Sequence, residues 1–402
     1  MPLTLSRKLL ATLALAVMTT SVQGQDRARD LGVPFRGTPG PLNAITDVAG
    51  VEVGHTTVLA GQGKLVRGKG PVRTGVTAIH PRGKASTSPV FASWFTINAS
   101  GEMTGTTWLD ERGLLDGPIM ITNTHSVGVV RDAAVEWMVD KGWPALWHAP
   151  VAAETYDGAL NDINGFHVTR EHALAALSSA TGGPVEEGAV GGGTGMICNR
   201  FKGGIGTSSR VVTFDEEEFR VGVLVQCNYG ARDHLKQIAS VPVNALWDAP
   251  MPCYRDSDLR PEGASAALCP DRPADESAMP DGSIIIVVAT DAPLLPNQLK
   301  RVAKRPSVAL GWLGAVSSDG SGDIFIAFST AGSEALSETT FSDDIRMFPN
   351  DDLTVLFEAT IEATEEAIVN AMVAAETMEG INSYTVFELP EDKLREIMSA
   401  AR

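Results

Sequence analysis

The chain is poor in the features that mark several common functional classes. Basic residues are outnumbered: 32 Lys and Arg stand against 49 Asp and Glu, for a formal net charge of −17. Phosphate binding needs a basic footprint, so nucleic acid is excluded as a main partner, and an anionic membrane surface with it. The one pronounced apolar run before the first polar segment, Leu9–Met18, is too short to span a bilayer. There are only four cysteines, Cys198, Cys227, Cys253 and Cys269, and no C-x-x-C pair. That excludes a zinc ribbon and gives no indication of a disulfide framework. An oxidising compartment permits a Cys253–Cys269 bridge, but buried free thiols are expected at least as much. Of the seven histidines, none lies three or four residues from another, so no helix-borne metal pair is present. G-x-S-x-G, H-E-x-x-H and Walker signatures are absent, as are internal repeats and low-complexity tracts.

What is present fits a globular protein, with 44% hydrophobic and 20% charged residues. A length of 402 residues allows two or three units, or one large α/β layered structure. The N-terminus reads as a secretory signal peptide over residues 1–24. Arg7 and Lys8 form its basic part, Leu9–Met18 its apolar part, and Ser21, Val22 and Gly24 supply small residues before the cut. Its removal takes the charge from −17 to −19. The expected location is outside the cytosol, the periplasm in a Gram-negative source, with no membrane-spanning segment in the mature chain.

Strands are predicted at 51–58, 72–80, 90–98, 219–227, 284–290 and 324–330, from β-branched and aromatic content. Helical spacing predicts helices at 127–141, at 168–179 with Thr169 as N-cap, at 296–304, at 353–379 closed by Gly380, and one starting at Pro390. Residues 25–45 read as a polar N-terminal arm. Residues 250–282, rich in proline and without period, read as a long exposed loop or linker. The loose alternation of strands and helices favours sheets of mixed direction covered by helices.

Four clusters could carry chemistry. At Gly282-Ser283 the Pro-rich loop runs straight into a buried strand. A serine there can attack the uncrowded Gly282 carbonyl and form an ester that water opens. The new α-amine, with an ordinary pKa of about 7.7–8.0, then serves as base to the same hydroxyl. An ordinary strand-capping serine is the plain alternative. Ser321 and Asp323 are two apart at the head of the next apolar strand and project to one side. Glu154-Thr-Tyr-Asp-Gly158, followed by Leu160-Asn-Asp-Ile-Asn-Gly165, offers a hydroxyl and a carboxylate for an oxyanion and an ammonium. Asn228, in Gln226-Cys-Asn-Tyr-Gly230, is a neutral oxyanion donor. A fifth stretch, Gly191-Gly-Gly-Thr-Gly195, does not meet the dinucleotide fingerprint. It reads as a turn that lets two backbones approach.

Taken together, these motifs resemble the DmpA-like aminopeptidases, self-cleaving hydrolases with an N-terminal serine. The likeness runs from about Leu42 to Leu389 and is nearest to the exported β-peptidyl aminopeptidase branch. It implies an αββα four-layer sandwich resembling N-terminal-nucleophile hydrolases. It also implies one composite domain made of an α fragment (25–282) and a β fragment (283–402). Ser283 would be nucleophile and new N-terminus, released by cleavage after Gly282. Ser321 and Asp323 would orient Ser283 and its amine, although some relatives carry Glu at the second position. Tyr156 and Asn228 would hold the oxyanion, and Glu154 the substrate's ammonium. No metal and no cofactor is implied. The implied partners are short peptides or amides with a free amine, and further copies of the chain in a homotetramer of αβ pairs. Alternatives are an L-aminopeptidase that also takes D-alanyl esters and amides, an acyltransferase on a related fold, and an exported peptide-binding protein.

Overall fold

The computed structural model describes residues 26–269, 282–332 and 345–402. The predicted signal peptide lies outside them. The strands in chain order begin with β1 (Glu52–Ala60), β2 (Val72–His80), β3 (Val90–Ala99), β4 (Leu114–Leu115), β5 (Ile119–Asn123) and β6 (Val151–Thr155). Next come β7 (Ile197–Cys198), β8 (Phe201–Lys202), β9 (Gly204–Phe214), β10 (Glu217–Asn228), β11 (Gln237–Ile238), β12 (Val241–Pro242) and β13 (Cys253–Tyr254). The last are β14 (Ser283–Thr290), β15 (Gly322–Ser329), β16 (Met378–Glu379) and β17 (Tyr384–Val386). The helices are α1 (Thr106–Arg112), α2 (Val127–Asp140), α3 (Arg170–Ser179), α4 (Pro296–Ala303), α5 (Pro306–Leu313), α6 (Thr354–Val373) and α7 (Glu391–Ala400).

One sheet has the order β1-β2-β5-β6 and the other β4-β3-β15-β14-β10-β9. β5 runs parallel to β6 and β14 to β15, while their other neighbours in these two sheets run antiparallel. Strand alternation decides what each face packs against. On β14, Ile284, Ile286 and Val288 join the core that includes α4, α5 and α6. Ile285, Val287 and Ala289 join the core between the sheets. Covered on both faces, this strand can be one unbroken apolar run. Each such fully buried side chain stabilises by about 1.5–3 kcal/mol. On the outer side of the four-stranded sheet, Val76, Ala78, Met120 and Ala152 pack against Val130, Ala134, Ala173 and Leu177 of α2 and α3. The order of layers is therefore helix, sheet, sheet, helix: the αββα sandwich.

The structure corrects several sequence expectations. The helix expected to reach Glu379 ends at Val373, because Met378 and Glu379 pair as β16 with Val386 and Thr385. The N-terminal arm is not a loose polar segment: Ala28, Leu31, Val33 and Phe35 are buried in the core beneath α6. Arg29 and Arg210 both bond the buried Glu366, which ties the arm and β9 to α6. Residues 250–269 are not simply an exposed linker. β13 pairs with β17, and Cys253 and Ala266 are buried. The remainder of that predicted loop, 270–281, lies outside the described residues.

The cysteines are paired rather than free, Cys198 with Cys227 and Cys253 with Cys269, at Cα separations of 5.5 and 5.4 Å. Spacing alone could not show this, because the first pair meets across 29 residues through the packing of β7 on β10. The glycine cluster is a close approach, as expected. A Cβ on Gly192 would lie 2.7 Å from the Ile121 carbonyl oxygen, so the turn wedges against β5.

Candidate active site

The candidate residues converge at one end of the sandwich. Ser283 opens β14 and is 6% exposed. On one side its register partner is Asn228, the last residue of β10, and on the other Gly322 of β15. Gly322 sits between Ser321 and Asp323, so the expected orienting pair flanks the register partner of Ser283. Ser321 Oγ donates to Asp323 Oδ2 at 2.9 Å, and both residues are buried. Asn98 of β3 fixes the turn before β15 by donating to the carbonyls of Ser318 and Asp319. Ser283 is thus held by backbone ladders on both sides, which is the rigidity a positioned nucleophile needs.

Gly282 has no room for a side chain. An L-configured Cβ there would lie 1.7 Å from the Asn228 carbonyl oxygen and 2.6 Å from Tyr229 Cα. Only glycine fits at this position.

Asn228 crosses from the six-stranded sheet to the other. Its Nδ2 donates to the Tyr156 carbonyl at 2.9 Å, and its Oδ1 accepts from the Ile197 N–H at 2.8 Å. Since a carbonyl only accepts and an N–H only donates, these partners fix the orientation of the amide, which carries a second hydrogen for an oxyanion. Two residues earlier, the buried Gln226 donates to the Thr122 carbonyl and to Thr155 Oγ1, a second bridge between the sheets. Tyr156 follows β6 and is 43% exposed. Burial, and then the Asp157 carboxyl beside it, raises its phenol above the ordinary range, so it stays a donor at neutral pH. Tyr156, Asn228 and Gly282 line one cavity of about 240 Å³.

Glu154 is the penultimate residue of β6, on the neighbouring side. Its Oε1 accepts from the Glu102 N–H at 2.9 Å and its Oε2 from Thr124 Oγ1. It faces the turn carrying Gly101, where a Cβ would lie 3.0 Å from Oε1 and 3.5 Å from Gly322 Cα. The carboxylate therefore stands close to the strand pair that presents Ser283. Burial raises its pKa above the ordinary range, while the Thr124 and Glu102 hydrogen bonds oppose that rise. A cation at this place would restore the charged form.

Sequence reasoning assigned no role to several residues that matter here. Thr124 and the Glu102 amide hold Glu154, and Ile197 holds Asn228; none carries a local signal, since each acts through tertiary contact. Asp157, one residue from Tyr156, is fully buried, and burial pushes its carboxyl up to about 7 against hydrogen bonds from Thr74, Asn161 and Asn123. Tyr229, beside Asn228, is buried, and its hydroxyl has no hydrogen-bond partner among the described residues. Tyr254 and Tyr384, with ring centres 5.0 Å apart, wall the cavity from β13 and β17. Among the described residues, no group of three or more His, Cys, Asp or Glu could hold a metal ion.

The arrangement has relatives. Over 377 residues the chain is 57% identical to the β-peptidyl aminopeptidase BapA of Sphingosinicella microcystinivorans, covering 94% of this chain and 92% of that one. It is 47% identical to the BapA of Sphingosinicella xenopeptidilytica over 396 residues, 98% of this chain and 96% of the relative. Among solved structures, the L-aminopeptidase D-Ala-esterase/amidase of Ochrobactrum anthropi superposes with a TM-score of 0.81 at 43% identity, covering 93% of this chain and 98% of that one. That protein is described as a prototype for the serine aminopeptidases and a variant of the Ntn hydrolase fold. A β-aminopeptidase from a Burkholderia species gives a TM-score of 0.79, also at 43% identity, covering 93% and 99% of the two chains. The model of Peptidase family S58 matches residues 43–386, and with relatives of this identity and coverage the chain belongs to that family.

Proposed function

We propose that the protein is a self-processed serine aminopeptidase that removes N-terminal β-amino acid residues from short peptides and amides. The observation that carries this reading is the Gly282-Ser283 junction, an uncrowdable glycine followed by a buried serine at the head of a strand paired on both sides. In self-cleavage Ser283 Oγ bonds to the Gly282 carbonyl carbon and the bond from that carbon to the Ser283 nitrogen breaks. Water then hydrolyses the ester, leaving a carboxylate on Gly282 and an amine on Ser283. In turnover the amine accepts the hydroxyl proton as Oγ attacks the substrate carbonyl, and it returns a proton to the departing amine. Asn228 and the Tyr156 phenol stabilise the oxyanion, Ser321 and Asp323 orient the nucleophile and its amine, and Glu154 pairs with the substrate's ammonium. Water releases the acyl group from Ser283.

Action outside the cytosol, in the periplasm of a Gram-negative source, belongs to the same proposal. It is supported by the signal-like residues 1–24 and by two disulfides, which persist in oxidising compartments. Assembly as a homotetramer of αβ pairs is proposed from the family resemblance, and native mass spectrometry tests it. The catalytic reading is tested with β-homoamino acid, L-alanyl and D-alanyl p-nitroanilides. Fastest turnover of the β-substrates, lost in Ser283→Ala, is expected. Faster turnover of the L- or D-alanyl compounds would move the protein to the L-aminopeptidase/D-Ala-esterase reading.

A further inference from the structure

A buried charge lies behind Asn228. Lys202, in β8, is fully buried, and among the described residues no carboxylate pairs with it. Its Nζ donates to two backbone carbonyls, that of Met196 at 2.9 Å and that of Gly203 at 2.7 Å. Burial pushes its pKa down to about 7, and no neighbouring acid opposes the shift. Holding an ammonium away from water and from any carboxylate destabilises a fold, and such groups concentrate at functional sites.

The Met196 carbonyl belongs to the same peptide group as the Ile197 N–H, and that N–H donates to Asn228 Oδ1 at 2.8 Å. The Met196–Ile197 peptide bond is trans, so its carbonyl and its N–H point to opposite sides. The ammonium therefore lies on one side of this peptide and the Asn228 amide on the other. Lysine, peptide and side-chain amide form one chain of hydrogen bonds. Each dipole in it has its positive end toward Asn228 Nδ2, whose second hydrogen is the proposed oxyanion donor. Hydrogen bonds in such a chain polarise one another, and in a protein interior the effect is weakly screened.

Several constraints hold the chain in register. Ile197 and Lys202 are partners in the β7–β8 hairpin, whose turn residues Asn199 and Arg200 both have positive φ. The Cys198–Cys227 disulfide joins the residue after Ile197 to the residue before Asn228. The Lys202 N–H donates to the Phe387 carbonyl, which pins the hairpin to the segment after β17. The Met196 carbonyl also accepts from the Gly203 N–H at 2.9 Å, so it keeps a partner if the lysine side chain is replaced.

We infer that Lys202 is a positioning residue for the oxyanion site: its ammonium, acting through the Met196–Ile197 peptide, orients and polarises the Asn228 amide toward a developing negative charge. This role rests on the proposed role of Asn228 as oxyanion donor, and extends it to a residue that does not line the cavity.

A double-mutant cycle on the mature enzyme, with a β-homoamino acid p-nitroanilide, tests it. Lys202→Met removes the charge and its hydrogen bonds, while Lys202→Gln keeps a donor without the charge. Each should lower kcat by about tenfold, less than the ~10²–10³ expected for loss of the Asn228 donor itself, and leave KM within about twofold. In an Asn228→Ala background the same substitutions should change kcat by less than about twofold, because the amide through which Lys202 acts is gone. Self-cleavage rates should follow the same pattern, and they carry the comparison if a variant is processed too slowly to give mature enzyme. If Lys202→Met does not fold, Lys202→Gln carries it. A mere packing role would lower kcat by the same factor in both backgrounds. That result, a wild-type kcat in Lys202→Gln, or an effect confined to KM would overturn the inference and leave the aminopeptidase reading standing. A wild-type kcat in Asn228→Ala would remove the oxyanion reading and this inference with it. A wild type inactive on p-nitroanilides would remove the aminopeptidase reading, while self-cleavage rates still decided the role of Lys202.

Discussion

The two sheets contribute differently to the site. The six-stranded sheet supplies Ser283, Asn228, Ser321 and Asp323, all buried at the ends of three adjacent strands. The four-stranded sheet supplies Glu154 and Tyr156, at the end of an outer strand and in the turn after it. Asn228 and Gln226 bridge the two. The first region is a backbone ladder that fixes Ser283 against Asn228 and Gly322. The second, in the proposed mechanism, gives Glu154 to the free amine and lends the Tyr156 phenol to the oxyanion. Chemistry and recognition are therefore separable by substitution, and self-cleavage, which involves no ammonium, tells them apart.

The largest effect is expected on the chemical side. Ser283→Ala should abolish both processing and turnover, read as one uncut chain and no p-nitroaniline release. Asn228→Ala should lower kcat by ~10²–10³ by removing an oxyanion donor, and should slow self-cleavage as well. A slow variant that still cleaves itself at the wild-type rate would place Asn228 on the recognition side instead.

Glu154→Ala should behave in the opposite manner. Processing should be complete, while KM for substrates with a free amine rises about 10- to 100-fold, the scale of one charge-assisted bond. Acid should mimic that change. Burial raises the Glu154 pKa, so as pH falls the carboxylate is neutralised earlier than an ordinary glutamate. The acid side of the kcat/KM profile should accordingly contain a carboxylate titration above the usual range in wild type that Glu154→Ala lacks, while the limb set by the Ser283 amine remains in both. Equal cleavage of N-acylated substrates by wild type would remove the ammonium site from the account.

The smallest effect concerns Asp157, beneath the recognition segment. Its folded pKa of about 7 exceeds the unfolded value of 3.8, so between these values the folded chain holds a proton that the unfolded chain has released. Stability from this group is present below about pH 4 and is lost as pH rises toward 7. Asp157→Asn does not titrate, so its stability relative to wild type should improve across that window by at most about 1.4 kcal/mol per pH unit. Urea midpoints at pH 5 and pH 7 measure it, and a difference independent of pH would contradict the assignment.

The same contrast explains what was legible in the sequence. β14 announces itself because both faces meet apolar layers, and the serine at its head follows from the loop that precedes it. β9 announces nothing, yet Thr207, Ser208, Ser209 and Arg210 are buried in it. Its polar groups are satisfied from far away: Ser208 by the Ala363 carbonyl and Arg210 by Glu366. Such a strand has no hydrophobic period to read. The end of α6 was overrun because Ala374 and Ala375 continue the helical composition while β16 claims the following residues. Glu154, Tyr156 and Asn228 were legible through motif likeness. Their supports, Thr124, Glu102 and Ile197, were not, because hydrogen bonds between distant elements leave no spacing. The Cys198–Cys227 disulfide and the Tyr254–Tyr384 wall escaped because they too join distant elements, whereas the Cys253–Cys269 bridge stood as one of two alternatives.

The proposed mechanism turns on Ser283 being a nucleophile made by its own cleavage. The most direct measurement is the mass of the denatured, purified protein, beside that of Ser283→Ala. Two masses from wild type, one matching residues 283–402 and the other ending at Gly282, with one uncut chain from the variant, are predicted. One uncut chain from both proteins, or cleavage that persists without the serine, would contradict it.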